Sequence, residues 1–347
     1  MTLTERIESF AELGRILRNS LKGIETEYSS ALEKLINKQQ LRNPWFTPEN
    51  VRTALNSIAG ELTHEYLKKW TDNYPTLDSE ISPTNVGVVM AGNIPLAGFH
   101  DFLSVLITGS NIIAKTSSQD PDLIVFIGNI LIEINSGFRE KMTFTDGLMK
   151  DFDAVIATGS NNSSRYFEYY FGKYPHIIRR NRNSIAIIEG DETSDELKLL
   201  GSDIFTYFGL GCRSVSKVFV PEGYDVAGMA SNWEQYCWMT GHNKYANNYD
   251  YNKAIYLVNR EEFLDTGYLL MKESGNLGSP VSVLYYEHFK TLDDAWEKAE
   301  EDKDKIQCIV SRERVPFGSA QSPRLWDYAD GIDTLEFLLK KNSARIL

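Results

Sequence analysis

The stretch Val86-Gly87-Val88-Val89-Met90-Ala91-Gly92-Asn93-Ile94-Pro95 decides the fold class of this 347-residue chain. Its three valines make a short apolar run of strand length, and β-branched residues at that density suit a strand buried on both faces. Ala91 to Pro95 turns the chain, and Leu96 to Leu106 then carries apolar residues at helical spacing. The same alternation continues outward. Strands are expected at Asn111 to Lys115, Asp153 to Thr158 and Ser184 to Glu189, with helix-length segments such as Asp122 to Asn135 between them. This pattern implies an α/β fold with a mainly parallel sheet covered on both faces. Ligands of such sheets sit beyond the carboxyl ends of the strands, so those turns are the places to search.

Upstream of Asn85 the texture differs. Ile7, Phe10, Leu13, Ile16 and Leu17 follow the helical period, and a second helical stretch runs from about residue 24 to 38. Thr47-Pro48-Glu49 announces a third helix, with an N-cap hydroxyl, a proline at the first helical position and an acid at the positive helix end. Asn73, Tyr74 and Pro75 break the run. The chain therefore divides into a helical N-terminal segment (1–83), an α/β domain (84–183), a second domain (184–318) and a tail (319–347). For that tail two readings stand, packing back on the first domain or self-association.

The turn after the Val86 strand places Asn93 at a strand tip, where its amide suits either a turn or N-cap role or donation to a developing oxyanion. Ala114-Lys115-Thr116-Ser117-Ser118 ends the next strand with a cation and three hydroxyls, suited to phosphate or ribose and equally to solvent. Ala157-Thr158-Gly159-Ser160-Asn161-Asn162-Ser163-Ser164 is a small polar turn opening a helical stretch from Arg165 to Phe171, either as an ordinary cap or as a helix N-terminus facing an anion. The chain lacks G-x-G-x-x-G at this point. Farther on, Phe208-Gly209-Leu210-Gly211-Cys212-Arg213-Ser214 sets one of only three cysteines in a Gly-flanked loop. That loop lies between a helical segment (Leu197, Leu200, Ile204, Tyr207) and a strand (Val215 to Val220). A buried, inert thiol and a presented nucleophile are the two readings.

Taken in order, these motifs resemble the aldehyde dehydrogenase superfamily from about Val86 to Gly318. The short chain and the FGLGCRS loop are most similar to the long-chain acyl-CoA reductases (LuxC-type). The resemblance implies two Rossmann-like α/β domains behind the helical segment, residues 84–183 binding nucleotide and 184–318 carrying the nucleophile. It assigns Cys212 as nucleophile, Asn93 as oxyanion donor, and Lys115, Ser118, Thr158, Gly159 and Ser160 to the cofactor, with no metal. Val315-Pro316-Phe317-Gly318 matches the family's late Pro-Phe-Gly segment.

Two departures refine the chemistry. Where aldehyde-oxidising members carry a general-base glutamate, this chain reads Ile178-Arg179-Arg180-Asn181-Arg182, with no carboxylate. Water is then poorly activated against an acyl-enzyme, and exchange with a thiol takes its place. The Glu-x-Phe-Gly-Pro segment appears as Asn276-Leu277-Gly278-Ser279-Pro280, so ribose contacts differ. Ser118 stands where the family commonly has an acid, which favours NADPH, with NADH as the alternative. The expected activity is NADPH-dependent reduction of a fatty acyl-CoA to an aldehyde through a Cys212 acyl-enzyme. The alternatives are acyl-phosphate (semialdehyde) reduction and a catalytically degenerate nucleotide-binding member.

A net charge of -12, a pI near 5.0 and no dense basic run argue against nucleic acid or anionic membrane as the main partner. No apolar run approaches the roughly 20 residues that span a bilayer. Scattered cysteines (212, 237, 308) and a polar N-terminus point to the cytoplasm. The five histidines are too dispersed for a ligand cluster, although His100 lies two turns from Asn93 if the intervening chain is helical. Tyr166, Phe167, Tyr169, Tyr170 and Phe171 read as helix packing or as an acyl channel, and Glu297 to Asp304 as a solvated helix face.

Overall fold

The structure is a computed structural model that describes residues 1–78 and 83–343. The last four residues of the tail lie outside it. The chain separates into two compact units, one of Met1–Asn181 with Pro323–Leu347 and the other of Arg182–Ser322.

The first unit begins with helices α1 (Leu3–Leu21), α2 (Ser29–Arg42), α3 (Pro48–Glu61) and α4 (His64–Thr71). Helix α3 starts as its sequence dictates, with Thr47 Oγ1 accepting the Asn50 N–H and Pro48 at the first helical position. The sheet follows: β1 (Asn85–Val89), α5 (Phe99–Ile107), β2 (Asn111–Lys115), α6 (Leu123–Ile134), β3 (Met142–Thr145), β4 (Ala154–Thr158), α7 (Asn161–Phe171) and β5 (His176–Arg179). Its order is β3-β2-β1-β4-β5 and every pairing is parallel. The strand order reverses between β1 and β4, and a doubly wound sheet binds ligands outside the carboxyl ends at such a switch point. Val86 and Val88 are fully buried and join one core with α1, α5 and α6. The helix expected from Leu96 begins instead at Phe99, because Leu96 adopts a left-handed backbone (φ 58°) and Gly98 is the N-cap.

The second unit carries β6 (Asn183–Ile187), α8 (Ser194–Phe205), β7 (Val215–Pro221), α9 (Val226–Ser231), α10 (Asn243–Asn259), β8 (Leu264–Asp265), β9 (Leu270–Glu273), β10 (Val283–Phe289), α11 (Leu292–Glu301) and β11 (Ile306–Val310). The six strands run in the order β11-β6-β7-β10-β9-β8, parallel except for the β8–β9 pair. Past Ser322 the chain rejoins the first unit through helix α12 (Thr334–Ser343), whose Leu335, Leu338 and Leu339 are buried in that unit's core.

The return is fastened by polar contacts. His100 Nε2 lies 2.8 Å from the Leu325 carbonyl oxygen, Trp70 Nε1–H donates to Tyr328 Oη at 2.7 Å, and Tyr74 Oη–H donates to Asp333 at 2.6 Å. Buried Arg179 pairs with Asp101 and donates to Thr334 Oγ1. Of the two readings of the tail, the first is seen from Pro323 onward, which packs on the first unit, while residues 319–322 belong to the second.

Candidate active site

Six of the residues singled out from sequence share the carboxyl edge of the first sheet. Val89, the last residue of β1, pairs with Lys115 of β2 and Ala157 of β4. The turn that follows each of these strands therefore emerges side by side. Asn93 is exposed in the turn after β1. Gly92 beside it has to be glycine, since a Cβ there would overlap the Ser117 side chain of the neighbouring turn. The N-terminal helices also reach this turn, Asn43 Nδ2–H donating to the Gly92 carbonyl at 3.5 Å.

Lys115 Nζ donates to the carbonyl oxygens of Asp146 and Gly147, each at 2.7 Å. An ammonium has three donors, so this arrangement leaves one N–H for a hydroxyl or phosphate oxygen. Ser118 is exposed at the tip of a tight Ser117–Asp120 turn. Ser160 is the N-cap of α7, its Oγ accepting the Ser163 N–H at 3.2 Å. The cap and the anion-binding reading thus coexist: the helix opens at the sheet edge, and the first N–H groups of a helix have no intrahelical partner. A half-buried cation, neutral hydroxyls and a helix N-terminus are the donor set a dinucleotide pyrophosphate and ribose require, so these residues fit such a cofactor.

Asp120 was not anticipated. It is 6% exposed, its Oδ2 accepts the Leu96 N–H at 2.8 Å, and burial pushes its carboxyl up to about 6. The acid nearest Ser118 in sequence is thereby turned inward to hold the Asn93 turn. Its sequence signal was weak, since an aspartate in a polar turn reads as solvated.

Cys212 belongs to the second unit and is exposed. It lies between α8 and β7, at the amino edge of its sheet, so a search confined to carboxyl-end turns passes over it. Helix α8 does not run into the loop smoothly. Tyr207, Phe208 and Gly209 all have positive φ (57°, 57° and 75°), and two buried aromatic residues in that region signal stored strain. The turn itself is closed by Ser214, whose N–H donates to the Gly211 carbonyl at 3.0 Å and whose Oγ accepts the Gly211 N–H at 3.2 Å. From β6, fully buried Ser184 donates its hydroxyl to the Cys212 carbonyl at 2.9 Å. The Asn276-to-Pro280 loop sits at the same edge, with Ser216 Oγ–H donating to the Leu277 carbonyl at 2.9 Å.

The remaining residues fall into structural places. His100 packs between Trp70 and Tyr328, tilted against the first ring and edge-on to the second, and since α5 begins only at Phe99 the helical path from Asn93 to His100 does not exist. His242 caps α10 and lies 4.5 Å from the Phe208 ring. On α7 the aromatic cluster splits. Phe167 and Phe171 pack together, while Tyr166, Tyr169 and Tyr170 are exposed rather than packed in the helix core. Among the described residues no group of three or more His, Cys, Asp or Glu side chains is placed to hold a metal, and no helix is long and apolar enough to cross a membrane.

A second buried acid, Asp203 on α8, likewise binds backbone N–H groups and is pushed up by burial to about 6. Both carboxyls stay protonated in the folded chain at pH values where the unfolded chain has lost the proton. Their contribution is therefore full below about pH 4 and declines as pH rises through about 6, on the order of 3 kcal/mol for each group at the limit. Urea titrations at pH 5 and pH 7.5 check this for Asp120→Asn, which cannot titrate. The stability of wild type relative to the variant drops between the two pH values; an unchanged difference refutes the assignment.

The fold is that of the aldehyde dehydrogenases. The chain matches the NAD+ complex of an aldehyde dehydrogenase from Bacillus cereus with a TM-score of 0.62 at 15% identity, covering 90% of this chain and 72% of that one. It matches aldehyde dehydrogenase 21 from Physcomitrella patens, in complex with the reaction product succinate, with a TM-score of 0.66 at 10% identity over 98% and 84% of the two chains. Residues 17–232 match the family described as Acyl-CoA reductase (LuxC), and the chain belongs to that family. It is 27% identical over 153 residues to a long-chain acyl-protein thioester reductase of Aliivibrio fischeri, and 24% identical over 147 residues to long-chain acyl-protein thioester reductase 2 of Photobacterium leiognathi. The matched segments are 40% and 38% of this chain, and span only about a third of those relatives, 32% and 30% of their lengths.

Proposed function

We propose that this protein reduces a fatty acyl thioester, an acyl-CoA, to the aldehyde with a nicotinamide cofactor, through an acyl-enzyme on Cys212. The observation that carries the reading is an exposed cysteine on a strained, Gly-flanked turn whose backbone is held from β6 by Ser184. Family membership agrees with it. The Cys212 thiolate attacks the thioester carbon, a C–S bond forms to Sγ, and the CoA thiolate leaves with its electron pair. Asn93 is the oxyanion donor in this reading, a role in which one hydrogen bond is worth about 3 kcal/mol. When bound, the reduced nicotinamide supplies a hydride to the acyl carbon. Collapse of the resulting Cys212 thiohemiacetal breaks the C–S bond, restores the thiolate and releases the aldehyde.

The residues at 178–182 supply no carboxylate to activate water, so the acyl-enzyme is spared hydrolysis. Lys115, Thr158, Gly159 and Ser160 hold the cofactor. Ser118, neutral and exposed, tolerates a 2'-phosphate, so NADPH is preferred to NADH. None of the three cysteines is in a disulfide, which suits a reducing, cytoplasmic setting.

The test follows absorbance as NADPH is oxidised in the presence of acyl-CoAs from acetyl to palmitoyl, with free CoA measured in parallel. Stoichiometric CoA release with NADPH loss is the expected result. Inactivity with every thioester, together with phosphate release from an acyl phosphate, would overturn it.

A further inference from the structure

Asp203 is fully buried on the last turn of α8, at a position that helical period groups with apolar Leu200 and Ile204. An apolar residue there would cost nothing to bury. The carboxylate instead accepts two backbone N–H groups across 115 residues or more of chain, Gly318 to Oδ2 at 2.7 Å and Ala320 to Oδ1 at 2.9 Å. No cation pairs with it among the described residues. A buried acid bound only to backbone is expensive, and its effect is to fix one geometry of the segment it grips.

That segment grips the cysteine turn in its own right. Arg213, next to Cys212, donates from Nη1 to the Ala320 carbonyl at 3.4 Å, and Gln321 Nε2–H donates to Ser214 Oγ at 3.2 Å. The same Ser214 oxygen closes the turn on Gly211. Gly318 allows the segment to bend back, with φ of 80° and Leu199 so near that a Cβ would come within 2.9 Å of its Cδ2. Asp203 thus ties both flanks of Cys212. Its helix leads into the turn from the N-terminal side through Tyr207 to Gly209, and its carboxylate holds the strap that anchors the C-terminal side.

We propose that Asp203 is a positioning residue for Cys212, acting through the Gly318–Gln321 strap on the Arg213–Ser214 side of the turn. The inference rests on reading Cys212 as the nucleophile. Its consequence is specific: loosening the strap misplaces the thiol while the substrate-binding surfaces stay as they are, so the loss falls on kcat and leaves KM alone.

The test uses the full-length chain with Asp203→Asn, which keeps the shape but sets an amide N–H against one of the two backbone donors. Gln321→Leu is the second variant, since it cuts the strap from Ser214 without disturbing the buried position. Two readouts are taken for each. One is the rate at which iodoacetamide alkylates Cys212, followed by mass spectrometry of its peptide with exposed Cys237 as internal reference. The other is kcat and KM for a thioester. In both variants the Cys212 rate relative to Cys237 shifts by more than about threefold, and kcat drops by about 10- to 100-fold with KM within about twofold, as expected when a reacting atom is displaced by a fraction of an ångström to 1 Å. If both variants retain the wild-type alkylation ratio and kcat, with only the melting temperature lowered, Asp203 is purely structural and the proposal is wrong. Wild-type inactivity on every thioester, with the alkylation ratio still responding to Asp203→Asn, refutes the reductase reading and upholds the positioning role.

Discussion

Replacing Cys212 by alanine lowers thioester reduction by about a thousandfold or more, equivalent to roughly 4 kcal/mol of transition-state stabilisation. On the proposed mechanism the loss is this large because the thiolate forms the covalent bond on which both half-reactions depend. Folding is untouched, since the side chain is exposed and the hydrogen bond from Ser184 goes to the Cys212 backbone carbonyl, which alanine keeps. Circular dichroism and melting temperature therefore match wild type while the NADPH oxidation that the proposed function expects with acyl-CoA falls by that factor. Cys237→Ala is the control: also exposed, it lies in the segment between α9 and α10 and retains full activity. A Cys212→Ala protein that still turned over thioester would remove Cys212 from the mechanism altogether.

The largest stability effect is expected at Trp70, whose replacement by alanine costs about 3–5 kcal/mol. The indole is fully buried, packs against the His100 and Tyr328 rings at 5.6 and 6.4 Å, and donates its N–H to Tyr328 Oη. That hydroxyl is in turn 2.8 Å from Tyr74 Oη, so alanine empties a large volume and unbinds one end of a hydrogen-bond chain. Trp70→Phe separates the two contributions, because it keeps most of the packing and loses a hydrogen bond worth about 1–2 kcal/mol. Urea midpoints read both values. A Trp70→Ala loss below about 1.5 kcal/mol contradicts the central place given to this residue in the first unit.

The sequence was most legible where local chemistry and tertiary structure agree. Thr47-Pro48-Glu49 starts a helix in the way its capping residues dictate, and β2 spans the expected Asn111–Lys115. Of the strands that escaped notice, β3 at Met142–Thr145 and β5 at His176–Arg179 are four-residue edge strands of mixed polarity with no long apolar run to mark them, and β8, β9, β10 and β11 of the second unit escaped as well. In α7 the first turn, Asn161 to Ser164, is polar and reads as loop, so spacing alone starts the helix only at Arg165.

The candidate site shows the same limit. Cys212 was visible because two glycines just before it, Gly209 and Gly211, advertise a turn. The left-handed pair Tyr207 and Phe208 was not, because bulky aromatic residues rarely adopt that backbone and spacing alone continued the helix through Tyr207. Asp120 and Asp203 escaped because a carboxylate is presumed solvated, although the apolar spacing of Leu200 and Ile204 around Asp203 carried a hint. The docking of Tyr328 on Trp70 joins residues 258 positions apart and has no local signature.

The split composition of the first unit also bears on how the chain acquires its structure during synthesis. The second unit is one continuous stretch, Arg182–Ser322, whereas the first waits for Pro323 and beyond to supply Leu325, Tyr328 and the leucines of α12. At about 5–20 residues per second, a nascent chain exposes the whole second unit before the first can close. The usual order of emergence is thus inverted: the part translated earliest is completed last, and until then the surface around Trp70 and His100 stands open to chaperones, proteases and other unfinished chains.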